Sequence, residues 1–440
     1  MSDFNINDKL TNYLELLESI EDALPSIKKN LQVEHNNAKE EFYNFIEAHA
    51  QEVKRNEKGQ INGFMIYGSN MREAKRLRKV LNKKMNLYLV IPHNFLVAII
   101  SEYDAFLGDL IKEIYKNRKE VTSNLEKEFT FKEIMEFGSL ENLRDYVIEK
   151  DVETILRKSH LEQLQAVEKK FGLTITKGLK ILPEFIEITE RRNLFVHCKG
   201  VVSSQYLKVC RENSVNLGDS KLGGKLYARN DYIFRAIDVL SELVIKLTHV
   251  LWNKLFEEDA ESIGNNILEI SFELLLRKKF KLISDMMPLF SSQPFNNLDD
   301  SMKRLLAINH SIALKELGEN GKCIKLIEAF DWSAVSPKFR MAERILMDDF
   351  SNAIKYLKQA CGMGEIKKEQ VDSWPIFKYI RDTQEFNDFY EEMFGVEEIT
   401  DVILDDSPSN ENDSQTEAEA EAEAEAEAEA EAEAEDKVNK

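Results

Sequence analysis

Residues 180–200, KILPEFIEITERRNLFVHCKG, decide the expected fold because they predict a long amphipathic helix that closes near a glycine. At about 100° per residue, one stripe of this helix carries Leu182, Phe185, Ile186, Thr189 and Val196. Asn193 falls in the middle of that stripe, with Arg192 about 100° to one side and His197 about 40° to the other. We therefore expect a helix that buries one face and carries three polar groups along the edge of that face.

The position of Asn193 on the apolar stripe, between Arg192 and His197, has two interpretations. An asparagine amide that faces a core costs roughly 1–3 kcal/mol unless it finds hydrogen-bond partners, and orienting Arg192 or His197 would supply them. The alternative is that Arg192, His197 and Lys199 only stabilise the negative end of the helix dipole. Spacing alone leaves both interpretations open.

Three more long helical patterns accompany this one. They run from Pro92 to about Arg118, from about Leu140 to Phe171, and from about Leu226 to Phe256. Four such helices in series predict an up-and-down four-helix bundle. The 17 glycines and 8 prolines are few for 440 residues, which disfavours sandwiches and barrels, so we expect an all-α fold.

The regions around this bundle differ in pattern. Residues 265–394 contain shorter helical segments separated by Gly or Pro, a pattern that resembles TPR-like helical hairpins. Nine Glu-Ala pairs from Glu417 to Ala434 place charge all round a helix and predict a disordered acidic tail. The expected domains are an N-terminal helical region (1–88), the bundle (89–258), a TPR-like domain (259–396) and the tail (397–440).

Charge and cysteine content limit the function only loosely. Removing the −14 carried by residues 401–440 from the total of −20 leaves about −6, which is compatible with a local basic groove. The four cysteines form neither a metal knuckle nor a CxxC pair, so we expect no metal or other cofactor. The polar start MSDFNINDKL and the short apolar runs predict a cytoplasmic protein with no membrane partner.

Residues 71–85 form the densest basic segment of the chain. Its cations are Arg72, Lys75, Arg76, Arg78, Lys79, Lys83 and Lys84. They form either an ordinary solvated helix face or a surface that follows the phosphates of an RNA strand.

The string Glu190-Arg191-Arg192-Asn193-Leu194-Phe195-Val196-His197 resembles the signature of HEPN domains. The resemblance extends to Gly200–Ser203 and Gln205–Leu207 after the motif, and to Ser101–Leu107 and Glu153–Gln163, which resemble the first two helices of that bundle. Asp331–Ser333 and Trp374–Phe377 are similar to C-terminal landmarks of larger bacterial proteins of this type. Position 199 is Lys, so the family's variant with a modified Tyr there is absent.

The resemblance implies a metal-independent endoribonuclease that works as a homodimer. Two copies of His197 would exchange protons with the RNA while the 2′-hydroxyl attacks its phosphate and leaves a 2′,3′-cyclic phosphate. Arg192 would neutralise the phosphorane and Asn193 would position Arg192 or His197. Supporting roles would fall to Glu102, Asp104 and His160, although ordinary ion pairs and core packing explain such residues more often.

Three functions remain open at this point. The first is an RNA endonuclease, such as a toxin or defence effector, whose C-terminal helical domain recognises a protein partner. The second is a non-catalytic HEPN/TPR-like adaptor or sensor that dimerises and binds protein or nucleotide. The third is a bundle that serves only for dimerisation.

Overall fold

The computed structural model describes residues 5–56, 59, 61–122 and 128–395. Across these residues the chain is mainly α-helical, with one two-stranded sheet, which confirms the predicted all-α class. The predicted disordered tail at residues 397–440 lies outside the described residues.

The chain begins with two very long helices, α1 (Ile6–His49) and α2 (Asn70–Asn117), packed along each other. Asn5 starts α1 because its side chain accepts a hydrogen bond from the Asp8 N–H at 3.0 Å. The expectation that a helix begins at Pro92 is wrong, since Pro92 lies buried inside α2. The domain boundary expected after residue 88 therefore falls inside a helix.

The packing of α2 explains why Pro92 does not end it. Met85, Tyr88, Pro92 and Leu96 are buried at intervals of three or four residues, so one apolar stripe continues across the proline. Proline inside a helix removes one backbone hydrogen bond and costs about 3 kcal/mol. Burial of this stripe against α1 offsets that cost.

The turn between α1 and α2 contains an antiparallel hairpin that the sequence analysis did not predict. Strand β1 (Glu52–Arg55) pairs with β2 (Ile61–Met65), with Val53 opposite Phe64 and an irregularity between Lys54 and Arg55. Phe64 and Val53 pack against a separate small core formed by Phe42, Ile46, Ala74 and Leu77. We call the distal part of α1 and α2, together with this hairpin (residues 28–95), the arm.

Shorter helices follow up to residue 255. They are α3 (Lys119–Thr122), α4 (Phe131–Glu136), α5 (Leu140–Leu156), α6 (His160–Phe171), α7 (Leu182–Cys198), α8 (Ser204–Glu212) and α9 (Asn230–Leu255). The single helix expected over 140–171 is two helices. Ser159 separates them because its hydroxyl accepts from the Glu162 N–H while Glu162 accepts from the Ser159 N–H.

The main core lies where α2, α5, α6, α7 and α9 meet. Helix α1 also packs against α9, so the core contains a long N-terminal helix in addition to the four that the sequence pattern predicted. Helix α8 packs against the end of α7. A small hydrophobic cluster, separate from the main core, is formed there by Leu194, Val202, Tyr206, Leu207 and Cys210.

The C-terminal part is a series of helical hairpins continuous with the main core. The helices are α10 (Ala260–Leu276), α11 (Phe280–Phe290), α12 (Asp300–Glu316), α13 (Asn320–Glu328), α14 (Pro337–Leu346), α15 (Phe350–Gly362), α16 (Lys368–Ser373) and α17 (Gln384–Phe394). Short 3-10 turns occupy Glu257–Asp259, Gln293–Phe295 and Pro375–Tyr379. The first three pairs each turn through a residue with positive φ: Lys278, Gly318 and Asp348.

Helix α2 is also the one helix of the described residues that is long and apolar enough, by composition, to cross a membrane. Its C-terminal half contributes Leu96, Ile99, Ile100 and Tyr103 to the main core. A core helix and a membrane span satisfy the same composition test.

Candidate functional site

The end of α7 is fixed by a tight reversal of the chain. Lys199 and Gly200 both adopt positive φ, at 51° and 80°. A Cβ atom on residue 200 would lie 2.7 Å from the carbonyl oxygen of Leu226, so only glycine fits there. The Leu226 N–H donates to the Gly200 carbonyl at 2.9 Å, which ties the segment before α9 to the end of α7.

The buried face of α7 differs in part from the predicted stripe. Phe185, Ile186 and Thr189 are buried as predicted, but Val196 is 48% exposed and Asn193 is only half-buried. In the last turn Leu194 is buried instead, because it packs into the small cluster beneath α8. His197 is exposed at the end of the helix.

Arg192 and Asn193 contact each other directly. Arg192 Nη1 donates to Asn193 Oδ1 at 3.2 Å, and Asn193 Nδ2 donates to Glu190 Oε1 at 3.4 Å. The Nε of Arg192 is buried and has no hydrogen-bond partner among the described residues. The asparagine thus holds one side of the guanidinium.

A second group of polar side chains lies deeper, where α6 meets α2. His160 Nε2 is 3.4 Å from Asp104 Oδ1, an ion-pair distance without hydrogen-bond geometry, and Gln163 Nε2 donates to the same oxygen at 3.2 Å. His160 is 8% exposed, so it cannot reach a bulky substrate directly.

Glu190 connects these two groups electrostatically. Burial raises the pKa of the Glu190 carboxyl, while His160 and the Asn193 amide act in the opposite direction. His160 is therefore close enough to influence the carboxylate that receives the Asn193 hydrogen bond. Of the three expected supporting residues, Asp104 and His160 lie together, whereas Glu102 is exposed and has no hydrogen bond or ion pair with Arg192 in the described structure.

The opposite face of α7 carries a buried network that the sequence analysis missed. The Glu187 carboxylate accepts from Arg191 Nε and from the hydroxyls of Tyr206 and Tyr232, each at 2.7 Å. The Arg191 guanidinium lies 4.0 Å from the Tyr232 ring centroid. The signal available in sequence was the Glu-Arg pair four residues apart on one helix.

His93 packs against the end of α7 from the neighbouring helix α2. It lies inside α2, half-buried, and its ring stacks on Phe195 of α7 with centroids 4.0 Å apart. Burial, followed by Lys225, Arg191 and Lys28, lowers the pKa of His93 to about 4. This histidine is therefore neutral at pH 7.

The basic segment lies on the arm, remote in sequence from α7. Arg72, Lys75, Arg78, Lys79 and Lys83 are exposed, and no ion pair to them occurs in the described part of the chain. Arg76 pairs with Glu73 and Glu41, and Lys84 pairs with Glu34. The arm therefore presents five of the seven predicted cations without a carboxylate neighbour.

Among the residues described, no group of three or more His, Cys, Asp or Glu side chains is arranged to hold a metal ion. Comparisons with models of protein families, with curated proteins and with solved structures found no match.

Proposed function

We propose that the protein is a metal-independent endoribonuclease of the HEPN type, such as a toxin or defence effector. The observation that carries this proposal is the Arg192–Asn193 contact, which orients a half-buried guanidinium five residues before the exposed His197. An oriented cation near an accessible imidazole suits a reaction that transfers protons and builds negative charge on a phosphate.

In this reaction the RNA 2′-hydroxyl attacks the adjacent phosphorus atom and loses its proton to one imidazole. The bond to the 5′-oxygen breaks, and a second imidazole donates a proton to that leaving oxygen. The products are a 2′,3′-cyclic phosphate and a 5′-hydroxyl. Two copies of His197 in a homodimer would supply the two imidazoles, and Arg192 would stabilise the phosphorane.

The buried side chains of Asp104 and His160 would act through Arg192 rather than on RNA. Asn193 connects the guanidinium to Glu190, and Glu190 lies within the electrostatic reach of His160, which is beside Asp104. This arrangement supports positioning roles for Asp104 and His160. The exposed cations of the arm supply a surface for RNA phosphates.

The test is cleavage of single-stranded RNA in the presence of EDTA. We expect the wild type to produce 2′,3′-cyclic phosphate ends and to leave DNA of the same sequence intact, since DNA lacks the nucleophile. His197→Ala and Arg192→Ala should each abolish cleavage. His49→Ala is the matched control, because His49 is an exposed histidine at the end of α1 on the arm. Cleavage that needs a metal ion, or that survives His197→Ala, would refute the proposal.

A second candidate is an adaptor that binds a protein through the C-terminal hairpins. The observation that favours it is a cleft of about 460 Å³ lined by apolar side chains, including Phe272, Leu305 and Trp374, together with Lys338 and Glu365. Such a mixed apolar and polar cleft suits a peptide segment. RNA that stays intact with the wild type under all conditions, together with partner binding that Trp374→Ser removes, would favour the adaptor over the nuclease.

A further inference from the structure

A basic cleft of about 500 Å³ lies between α7, the segment before α9 and the first turns of α9. Four cationic side chains line it, and Asp231 is the one carboxylate among the lining residues. The cations are Arg191, Lys225, Arg229 and Arg235. None of these residues belongs to the Arg192–His197 group described above, although Arg191 is the neighbour of Arg192 in α7.

Three of these cations are held in place by carboxylates. Arg191 bonds to Glu187, Arg235 bonds to Glu184 through two contacts at 2.6 and 2.8 Å, and Arg229 lies 3.7 Å from Asp231. Arg191 Nη1 donates in addition to the Tyr227 carbonyl at 3.2 Å. These contacts orient the three guanidinium groups along the wall of the cleft.

Lys225 supplies the charge that these pairs do not balance. Its ammonium lies 5.3 Å from the Tyr227 ring centroid, and no carboxylate pairs with it in the described structure. Lys225 and Arg191 also contribute to the low pKa of His93, where they are the largest causes after burial. This end of α7 is therefore electropositive.

The backbone adds to this field. Helix α9 runs for 26 residues, no side chain caps its N-terminus, and Asp231 and Tyr232 of its first turn line the cleft. The N-terminus of a helix favours anions through its dipole and its free N–H groups.

The walls of the cleft contain aromatic rings beside the cations. Tyr227 lies under Lys225, and Tyr232 lies under Arg191 at 4.0 Å from the guanidinium carbon. Cations that follow a backbone and aromatic rings that contact bases are the usual combination in proteins that bind single-stranded nucleic acids. A single-stranded RNA uses both features, because its phosphates pair with the cations and its bases stack on the rings.

We propose that this cleft binds the phosphodiester backbone of a single-stranded RNA segment next to the one cut at His197. The inference rests on the proposed nuclease function for its choice of RNA. It assigns to Lys225, Arg229 and Arg235 a role in substrate binding and to Arg191 a role in shaping the cleft.

The test measures the binding of a fluorescent 2′-O-methyl RNA oligonucleotide, which lacks the attacking hydroxyl and so stays intact. Lys225→Gln is compared with Lys221→Gln, because both lysines are exposed on the same loop and only Lys225 lines the cleft. We expect Lys225→Gln to weaken binding about 3- to 10-fold and to lower the salt dependence by about one ion. Lys221→Gln should change affinity less than about 2-fold.

Equal effects of the two substitutions, or no effect of Lys225→Gln, would overturn the proposal. Displacement of the RNA by equimolar inorganic pyrophosphate would also overturn it, because the cleft would then take a small phosphorylated ligand. The outcome is separable from that of the nuclease test. RNA binding that depends on Lys225 without cleavage supports the cleft alone, whereas cleavage that depends on His197 but not on Lys225 supports the nuclease alone.

Discussion

The His93 ring in α2 and the Phe195 ring in α7 lie nearly parallel, with centroids 4.0 Å apart and planes inclined by 9°. This stack joins the continuous helix of the arm to the last turns of the helix that carries Arg192 and His197. Because the buried Nε2 of His93 has no hydrogen-bond partner in the described structure, the ring acts here as an aromatic group.

The first prediction concerns pH. His93 has a pKa of about 4 in the folded protein and an ordinary value of 6.5 in the unfolded chain. As the pH falls from 6.5 towards 4, the unfolded chain gains a proton that the folded protein does not, so stability falls. In His93→Phe this contribution, about 3 kcal/mol at pH 4, should disappear. Denaturant unfolding of both proteins across this pH range measures it, and parallel curves would contradict it.

The second prediction concerns the turn after α7. Gly200→Ala should lower the free energy of unfolding by about 2–4 kcal/mol, because a Cβ atom meets the Leu226 carbonyl and φ is positive. Gly218→Ala is the control, since Gly218 also has positive φ but nothing within 4 Å of its added Cβ. That control should cost only about 1 kcal/mol. Similar losses in the two variants would show that the close approach to Leu226 is unimportant.

The third prediction compares two glutamates of α7, each paired with an arginine. Glu187→Gln should destabilise the protein by about 3 kcal/mol, because it removes a buried charge that Arg191 and two tyrosines require. Glu184→Gln should cost less than about 1 kcal/mol, because the Glu184–Arg235 pair is exposed. Urea denaturation distinguishes the two. A Glu187 variant as stable as the Glu184 variant would be the contrary result.

The fourth prediction concerns Asn193. Asn193→Ala removes the acceptor that holds Arg192, so RNA cleavage should fall about 10-fold or more. The melting temperature should hardly change, since Asn193 is half-buried and its hydrogen bonds are 3.2 and 3.4 Å long. Parallel losses of melting temperature and cleavage would instead indicate a purely structural asparagine.

Helical periodicity predicted α7 well, since a helix within residues 180–200 that closes near a glycine was expected and α7 spans Leu182–Cys198. It failed in the last turn, where Val196 is exposed, because a stripe on one helix does not reveal where its neighbours end. The predicted helix start at Pro92 was also wrong. Burial along α2 outweighs the tendency of a proline to begin a helix.

The split between α5 and α6 was available in the sequence, because Ser159 and Glu162 have the spacing of a capping box. The proximity of Asp104 and His160 was not, since 56 residues separate them and their contact depends on how α2 and α6 pack. The family resemblance, rather than periodicity, was what placed these two residues on the same list of candidates.

The arm has a mechanical consequence. From Asn70 to Leu96, where α2 enters the main core, the helix is roughly 40 Å long. A tilt of about 10° at its base would displace the strand hairpin at its tip by about 7 Å. The stack of His93 on Phe195 lies at the base of the arm. A force on the tip of the arm would therefore reach the end of α7 through this contact. A force on the exposed cations of the arm would therefore act on the helix that carries Arg192.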